Sequence, residues 1–497
     1  MPSTCYVPID LGASSGRHLA ALFDGQRLTL EEIYRFENGP VTAAGRMYWD
    51  LLGLWQHILT GLRAAKAKYG ERIASMAVDT WGVDFGLLGR GDELLGNPVH
   101  YRDSRTDGML ERAFSTVPRD EIFAQTGLQF MQLNTLYQLL AMKIQNSPQL
   151  DVAESFLMMP DLFHWLLTGV KANEMTDATT TQFFNPTQGR WATELLEQLK
   201  LPTRILGTVI QPGAKLGPLL PQVATATGLT KVQVVAPGTH DTASAVMAVP
   251  AASQPGVRPN WCYISSGTWS LMGVEVPRPV INEKCLALNF TNEGGVGGTT
   301  RLLKNIVGLW LVQECRRVWS LAGTTYSWEH LTQAAAAAAP LAAFIQPDDP
   351  SFLAPADMPE AIRTFCRRTK QTVPADEGAV IRCALESLAL QYRRTLESLE
   401  ELIGGPIEVV HIVGGGSQNR QLCQMTADAC QRRVVAGPVE ATAIGNALMQ
   451  AIAAAEISSI AQAREIVRRS FQVEEYTPQN GSLWKEVYAR FLKLAEK

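Results

Sequence analysis

Leu51, Leu54, Trp55, Ile58, Leu62 and Ala65 recur at helical spacing, behind Asp50 as a candidate N-cap and ahead of Gly70 as a stop. The pattern predicts a helix between Asp50 and Gly70. IASMAVDTWGVDFGLLG, from residue 73, then reads as a buried strand, a turn and a second strand, with GRGDE as the hairpin tip. A second helical stripe runs through Leu385, Leu388, Ala389, Tyr392, Leu396, Leu399 and Ile403, followed by Gly404, Gly405 and the strand IEVVHIV. The alanine run at 334–339, stopped by Pro340, reads as one more helix. Such alternation implies α/β layers.

Proline, glycine and polar residues interrupt the pattern in PAASQPGVRPN, residues 250–260. We place a domain boundary there, which gives domains at 1–250 and 258–450 and a helical tail at 451–497. The charged stretch at about 343–378, with its DDP and PAD pieces, reads as a surface excursion. The length supports this division: 497 residues, 46% of them hydrophobic, exceed what one core of about 250–300 residues holds.

A net charge of −4 supplies no field for nucleic acid, so a small-molecule substrate fits better. Eight scattered cysteines without a C-x-x-C read as reduced, mostly buried thiols, with the pairing of Cys366 and Cys383 left open. The first residues lack the features of a signal peptide, and no apolar run of about 18 residues occurs. A cytoplasmic enzyme without membrane association is the expectation, as a monomer or small homo-oligomer.

Three stretches carry chemistry. In YVPIDLGASSGR, residues 6–17, a strand ends at Asp10 and a turn of small and hydroxyl residues brings backbone N–H groups within reach of an anion. Asp10 is a hard oxygen ligand suited to a hydrated magnesium ion. An ordinary hairpin has the same glycine turn, but YISSGTWSLMG, residues 263–273, repeats the plan roughly 255 residues later. A duplicated fold with one phosphate-gripping hairpin per domain explains that spacing. The third stretch, VVHIVGGGSQNR at 409–420, runs a strand into Gly414, Gly415 and Gly416, which leave room for a flat ring or sugar; AGPVEATAIGNA follows at 436–447.

Together these stretches resemble the FGGY carbohydrate kinases, of the actin, Hsp70 and sugar-kinase superfamily, from about residue 5 to 450. The resemblance implies two actin-like, ribonuclease H-like domains with mixed sheets flanked by helices, and ATP and sugar in the cleft between them. DLGASSGR, DTWGVDF, YRDSR, THDTASA, SSGTWSLMG, TNEGG and LKNIVGLWLVQ together resemble the members that phosphorylate L-rhamnulose at its 1-hydroxyl. Another ketose or polyol kinase, such as one acting on L-fuculose, is the nearest alternative, and an actin- or Hsp70-like ATPase switch a more distant one. No Walker A sequence and no protein-kinase H-R-D set is present.

The family's general base matches Asp241, in VVAPGTHDTASAV, where a strand gives way to a helix of small residues. A carboxylate there would receive the acceptor hydroxyl's proton, and it is equally placed to cap the helix. Thr242, Ala243 and Ser244 are expected to leave room for substrate. His240 and Thr242 match sugar-contacting positions, as does Asn305. Gly82 is expected to let backbone approach the ligand, and Trp81 to face the sugar's C–H edges. Asp79 and Asp84 are either sugar ligands or turn residues, and Asp103 with Arg105 is expected to form an ion pair behind the site. On the nucleotide side the resemblance assigns Ala13, Ser14, Ser15, Gly16, Arg17, Thr268, Gln313 and Gly415, with magnesium at Asp10. Arg17 and Lys304 are both candidates to steady the transferring phosphoryl group.

Overall fold

The computed structural model describes residues 3–252 and 258–494; residues 253–257 of the expected boundary lie outside the described residues. Thr4–Leu11 forms β1, buried at every position but the first. Ser15–Phe23 (β2) returns antiparallel with Leu11 opposite Gly16, and Leu28–Glu37 (β3) pairs antiparallel with β2. The chain then crosses through α1, Leu51–Tyr69, to Ile73–Thr80 (β4), parallel to β1 with Asp79 beside Asp10. Asp50 accepts a hydrogen bond from Gly53 N–H and Gly70 stands at the C-cap, as the sequence predicts. Lys215–Pro218 (β5) and Gln233–Val235 (β6) complete the sheet in the order β5-β6-β4-β1-β2-β3. Asp241–Met247 (α2) follows β6.

The strand Phe85–Leu88 forms where the sequence predicts a second strand. It does not return along β4 but pairs with Ser155–Met158. β4 already has β1 on one edge and β6 on the other, so no edge is left for a hairpin partner. GRGDE does form a tight turn, closed by Gly89 N–H donating to Glu93 O at 2.8 Å. Phe85 and Phe156 enter a separate core with Tyr137, Phe183 and Trp191.

The second sheet repeats the plan. Trp261–Ser266 (β7) and Trp269–Val276 (β8) are antiparallel, with Ser266 opposite Ser270. Thr291–Gly294 (β9) and Thr300–Val307 (β10) follow. The helix Glu377–Ile403 (α3), capped by Asp376 and by Gly404 at φ 70°, leads to Val409–Val413 (β11), parallel to β7. Arg433–Ala436 (β12) lies parallel to β11, and Glu474–Tyr476 (β13) closes the order β9-β10-β8-β7-β11-β12-β13. The runs β3-β2-β1-β4-β6 and β10-β8-β7-β11-β12 correspond position for position, each with its first strand central.

The stretch 343–378 is not a surface excursion. Phe344, Ile345 and Phe352 are buried, and the helix Met358–Arg368 buries Met358, Ile362, Phe365 and Cys366 along one stripe. Its charges occupy the opposite face and hide that period in the composition. The alanine-rich helix Trp328–Ala337 ends just before Pro340 as expected. All eight cysteines are buried and free, Cys366 and Cys383 included.

The chain divides into two compact units that are not contiguous in sequence: 1–257, 275–302 and 440–471 in one, and 258–274, 303–439 and 472–497 in the other. These units cut across the segments 1–250, 258–450 and 451–497. The reason is local to the first unit. The helix Ala441–Ala453 (α4) sends Asn446 to the Ala77 carbonyl and the Asp79 carboxyl of β4, and Gln450 accepts from Ser75. In the tail, Ile460–Ser470 joins the first unit and Gly481–Leu492 the second.

Candidate active site

The start of α2 is held by a buried polar lattice. The Glu174 carboxylate accepts from Thr239 N–H at 3.0 Å and Thr239 Oγ1 at 2.7 Å. Thr176 Oγ1 also donates to Glu174 and accepts from His240 N–H at 3.2 Å. Thr239 O takes Thr80 N–H from the end of β4. His240 occupies the N-cap position, and Asp241 is the first helical residue.

His240 makes no side-chain cap hydrogen bond, while the Asp241 carboxyl keeps a contact with the first turn through the Thr242 backbone N–H. The Asp241 carboxylate accepts from Thr242 Oγ1 at 3.0 Å, and 31% of the side chain remains exposed. The carboxyl still lies deep enough among protein atoms that burial raises its pKa; nearby His240 lowers it, and Asp10 raises it again. A carboxylate poised above its ordinary range and partly open is suited to receive a proton.

The small residues of α2 serve packing, a correction to their expected use as substrate room. A Cβ on Gly445 of α4 would overlap the Ser244 carbonyl, and Ser244 Oγ donates to Gly238 O at 2.7 Å. Ala243 and Ser244 are fully buried, and Thr242 nearly so.

At the first hairpin, Gly12 N–H donates to Ser15 O at 2.9 Å, and Asn38 pins the turn through Ser14 O and Gly12 O. Ser14 is exposed, while Ala13 and Ser15 are half-buried. A Cβ on Gly16 would enter the Phe36 ring, so this glycine is required by the hairpin's own packing. Arg17 donates to Asp10 Oδ2 from Nε at 3.0 Å and from NH2 at 2.6 Å, and lies 3.0 Å from Glu440. Beside Asp10, Asp79 accepts from Asn446 at 2.6 Å, while its Oδ1 has no hydrogen-bond partner among the described residues. Burial and the neighbouring Asp10 push the Asp79 carboxyl well above the usual carboxylate range.

Trp81 and Gly82 lead into a strained turn: Val83 has φ 69°, a left-handed conformation that β-branched residues rarely adopt. Thr180 holds it, accepting from Val83 N–H at 3.0 Å, and a Cβ on Gly82 would stand 2.9 Å from Thr180. Asp84 is fully buried. Its Oδ2 accepts from Trp49 Nε1 at 2.6 Å, Trp81 Nε1 at 3.0 Å and Tyr101 N–H at 3.2 Å, and Gln138 donates to Oδ1 at 2.9 Å. Trp49 stacks on Trp81 with ring centroids 3.8 Å apart. Asp84 thus orients the tryptophan wall from behind. Asp103 forms its ion pair with Arg46 at 3.0 Å, not with Arg105, which gives Asp103 a backbone N–H and turns its guanidinium to Gln138.

In the second unit, Gly267 N–H donates to Trp269 O to close the second hairpin, and Thr268 Oγ1 donates to Gln313 Oε1 at 3.1 Å. Two residues assigned to nucleotide are thereby joined. The three glycines after β11 differ. Gly414 adopts φ 83°, a Cβ on Gly416 would overlap the Ser266 side chain, and a Cβ on Gly415 would meet nothing within 4 Å. Only Gly415 borders open space. Asn305 and Lys304 lie half-buried on β10, where the Lys304 charge acts on Asp348.

Sequence reasoning missed Glu174, Thr176, Thr180, Arg301 and Asn38. Glu293, Glu440 and Asn446 lie inside motifs quoted above, but nothing in those motifs names their partners.

The chain belongs to the FGGY family of carbohydrate kinases: the family's N-terminal domain matches residues 5–248 and its C-terminal domain residues 262–454. It is a two-domain α/β carbohydrate kinase of the actin-like type. Proteins named rhamnulokinase are similar over nearly the whole chain. One from Bacteroides thetaiotaomicron is 46% identical over 98% of both chains, and one from Bacillus subtilis 39% over 96% of both. Among solved structures, gluconate kinase from Lactobacillus acidophilus superposes with a TM-score of 0.81 at 14% identity, covering 99% of this chain and 98% of that one. That likeness shows the fold.

Proposed function

We propose that the protein transfers the γ-phosphoryl group of ATP to the 1-hydroxyl of L-rhamnulose, giving L-rhamnulose 1-phosphate and ADP. The observation that carries the chemistry is the Asp241 carboxyl, raised in pKa and partly open at the start of α2. The substrate assignment is supported by the 46% identity to a protein named rhamnulokinase over nearly the full length.

In this reading Asp241 accepts the hydroxyl proton as the phosphoryl group transfers. Gly82, His240, Thr242, Asn305 and Trp81 hold the sugar. Ala13, Ser14, Ser15, Gly16, Arg17, Thr268, Gln313 and Gly415 hold the nucleotide, with segment 1–250 supplying the first hairpin and 258–450 the second. The protein acts in the cytoplasm as a monomer or small homo-oligomer.

Magnesium fits Asp10 and Asp79. Two carboxylates stand side by side, one with a buried oxygen that lacks a partner, and both are hard oxygen donors. No group of three or more His, Cys, Asp or Glu that could hold a metal occurs among the described residues. One or two carboxylates suffice for magnesium, which keeps waters and takes nucleotide phosphates. When bound it neutralises charge on the phosphate oxygens. Arg17, tied to Asp10 and Glu440, is poised beside that pair. No helix among the described residues is long and apolar enough to cross a membrane.

The test is a coupled ADP-release assay over a panel of ketoses and polyols. L-rhamnulose is expected to turn over fastest; equal or faster turnover of L-fuculose would remove the substrate assignment.

A further inference from the structure

We propose that Arg301 and Glu293 are positioning residues that fix the imidazole of His240 so that its Nε2–H faces Asp241. The inference rests on the proposed role of Asp241. Arg301 lies at the start of β10 and Glu293 on β9, and with His240 and Asp241 they belong to one compact unit. Arg301 is 0% exposed, Glu293 4% and His240 6%, so their mutual geometry is not averaged by solvent.

Arg301 NH2 hydrogen bonds with His240 Nδ1 at 3.2 Å, and its Nε donates to the Gly294 carbonyl at 2.8 Å. A guanidinium has donors and no acceptor, so the hydrogen bond from Arg301 is accepted by the Nδ1 lone pair, with the Glu293 carboxylate 3.3 Å from the same nitrogen as the competing acceptor. The neutral ring then carries its proton on Nε2, which lies 3.5 Å from Asp241 Oδ1. Glu293 Oε2 stands 3.3 Å from both the guanidinium and Nδ1, balancing a charge that could not be buried alone.

Two side-chain contacts of the Asp241 carboxylate fall on Oδ1: Thr242 Oγ1 at 3.0 Å and the His240 Nε2 edge. Arg301 therefore acts on the base through His240, and the glutamate of the TNEGG motif acquires a role that the sugar and nucleotide assignments do not give it.

The direct test uses the full, unsubstituted chain carrying ¹⁵N-histidine, with His240 assigned by comparison with His240→Gln. Long-range ¹H–¹⁵N correlation at about pH 8, above the ordinary histidine pKa, distinguishes the two neutral tautomers. We expect Nδ1 to be the unprotonated nitrogen; a proton on Nδ1 would overturn the proposal. This readout does not depend on activity, so it stands apart from failure of the sugar assignment, which would appear as no turnover on any ketose or polyol.

Kinetics supply the second arm. Arg301→Lys keeps the charge but loses the fork. It is expected to lower kcat/KM for the sugar by at least about tenfold with KM for ATP within about twofold, because the misplaced group is the base. Glu293→Gln is expected to act in the same direction. Equal loss at both substrates, or no loss, would mean that the pair only supports the fold.

Discussion

Gly445 of α4 packs so closely on α2 that a Cβ there would overlap the carbonyl oxygen of Ser244, three residues after Asp241. The obstacle is backbone, which cannot swing aside as a side chain can. Gly445→Ala is therefore expected to cost about 1–3 kcal/mol of stability by overpacking. It is also expected to lower kcat for sugar phosphorylation more than nucleotide affinity, because α2 carries the base. Thermal unfolding and initial rates check both; a variant as stable and active as the parent would show that the helices separate freely.

The glycines after β11 divide by what stands over them. Gly416→Ala is expected to destabilise, since the added methyl meets Ser266, whereas Gly415→Ala has open space and leaves stability within about 0.5 kcal/mol. If that space takes nucleotide, Gly415→Ala weakens ATP binding without loss of folding. Isothermal titration beside a denaturation curve separates the two effects.

Asp84 is a buried carboxyl whose pKa is pushed up to about 6 by desolvation, partly offset by the donors from Trp49, Gln138 and Trp81. A folded-state pKa above the unfolded value favours the protonated native form, so this contribution is present at low pH and is lost as pH rises through about 6. Between pH 7.5 and pH 5 the linkage is worth about 1.4 kcal/mol, with greater stability at pH 5. Asp84→Asn is expected to remove that increment from the pH dependence of the urea midpoint. An unchanged pH response would mean that Asp84 stays ionised.

Asp10→Asn is expected to raise the magnesium concentration needed for half-maximal rate, since it removes one charged ligand while keeping size and strand pairing. Unchanged activity across a magnesium titration would remove Asp10 from the metal site.

Local signals were legible where the chain's partners are near in sequence. Asp50 and Gly70 bracket α1, Asp376 and Gly404 bracket α3, and both glycine- and hydroxyl-turned hairpins stand where the sequence indicated. The misreadings share a cause in distance. Asp103 pairs with Arg46, and the small residues after Asp241 answer to Gly445, some 200 positions away. The amphipathic helix Met358–Arg368 was hidden for a different reason, because its buried positions are few and its charges many. Buried polar partners such as Glu174 and Arg301 carry no periodic signature, and only the fold brings them beside His240.

The central claim is that Asp241 removes a proton from the sugar. Single-turnover ADP formation with L-rhamnulose, measured for the parent chain and for Asp241→Asn, tests it most directly. The expected result is a loss of at least about 10² in the chemical step, with ATP affinity little changed. ATP hydrolysis that needs no sugar and survives Asp241→Asn would contradict it.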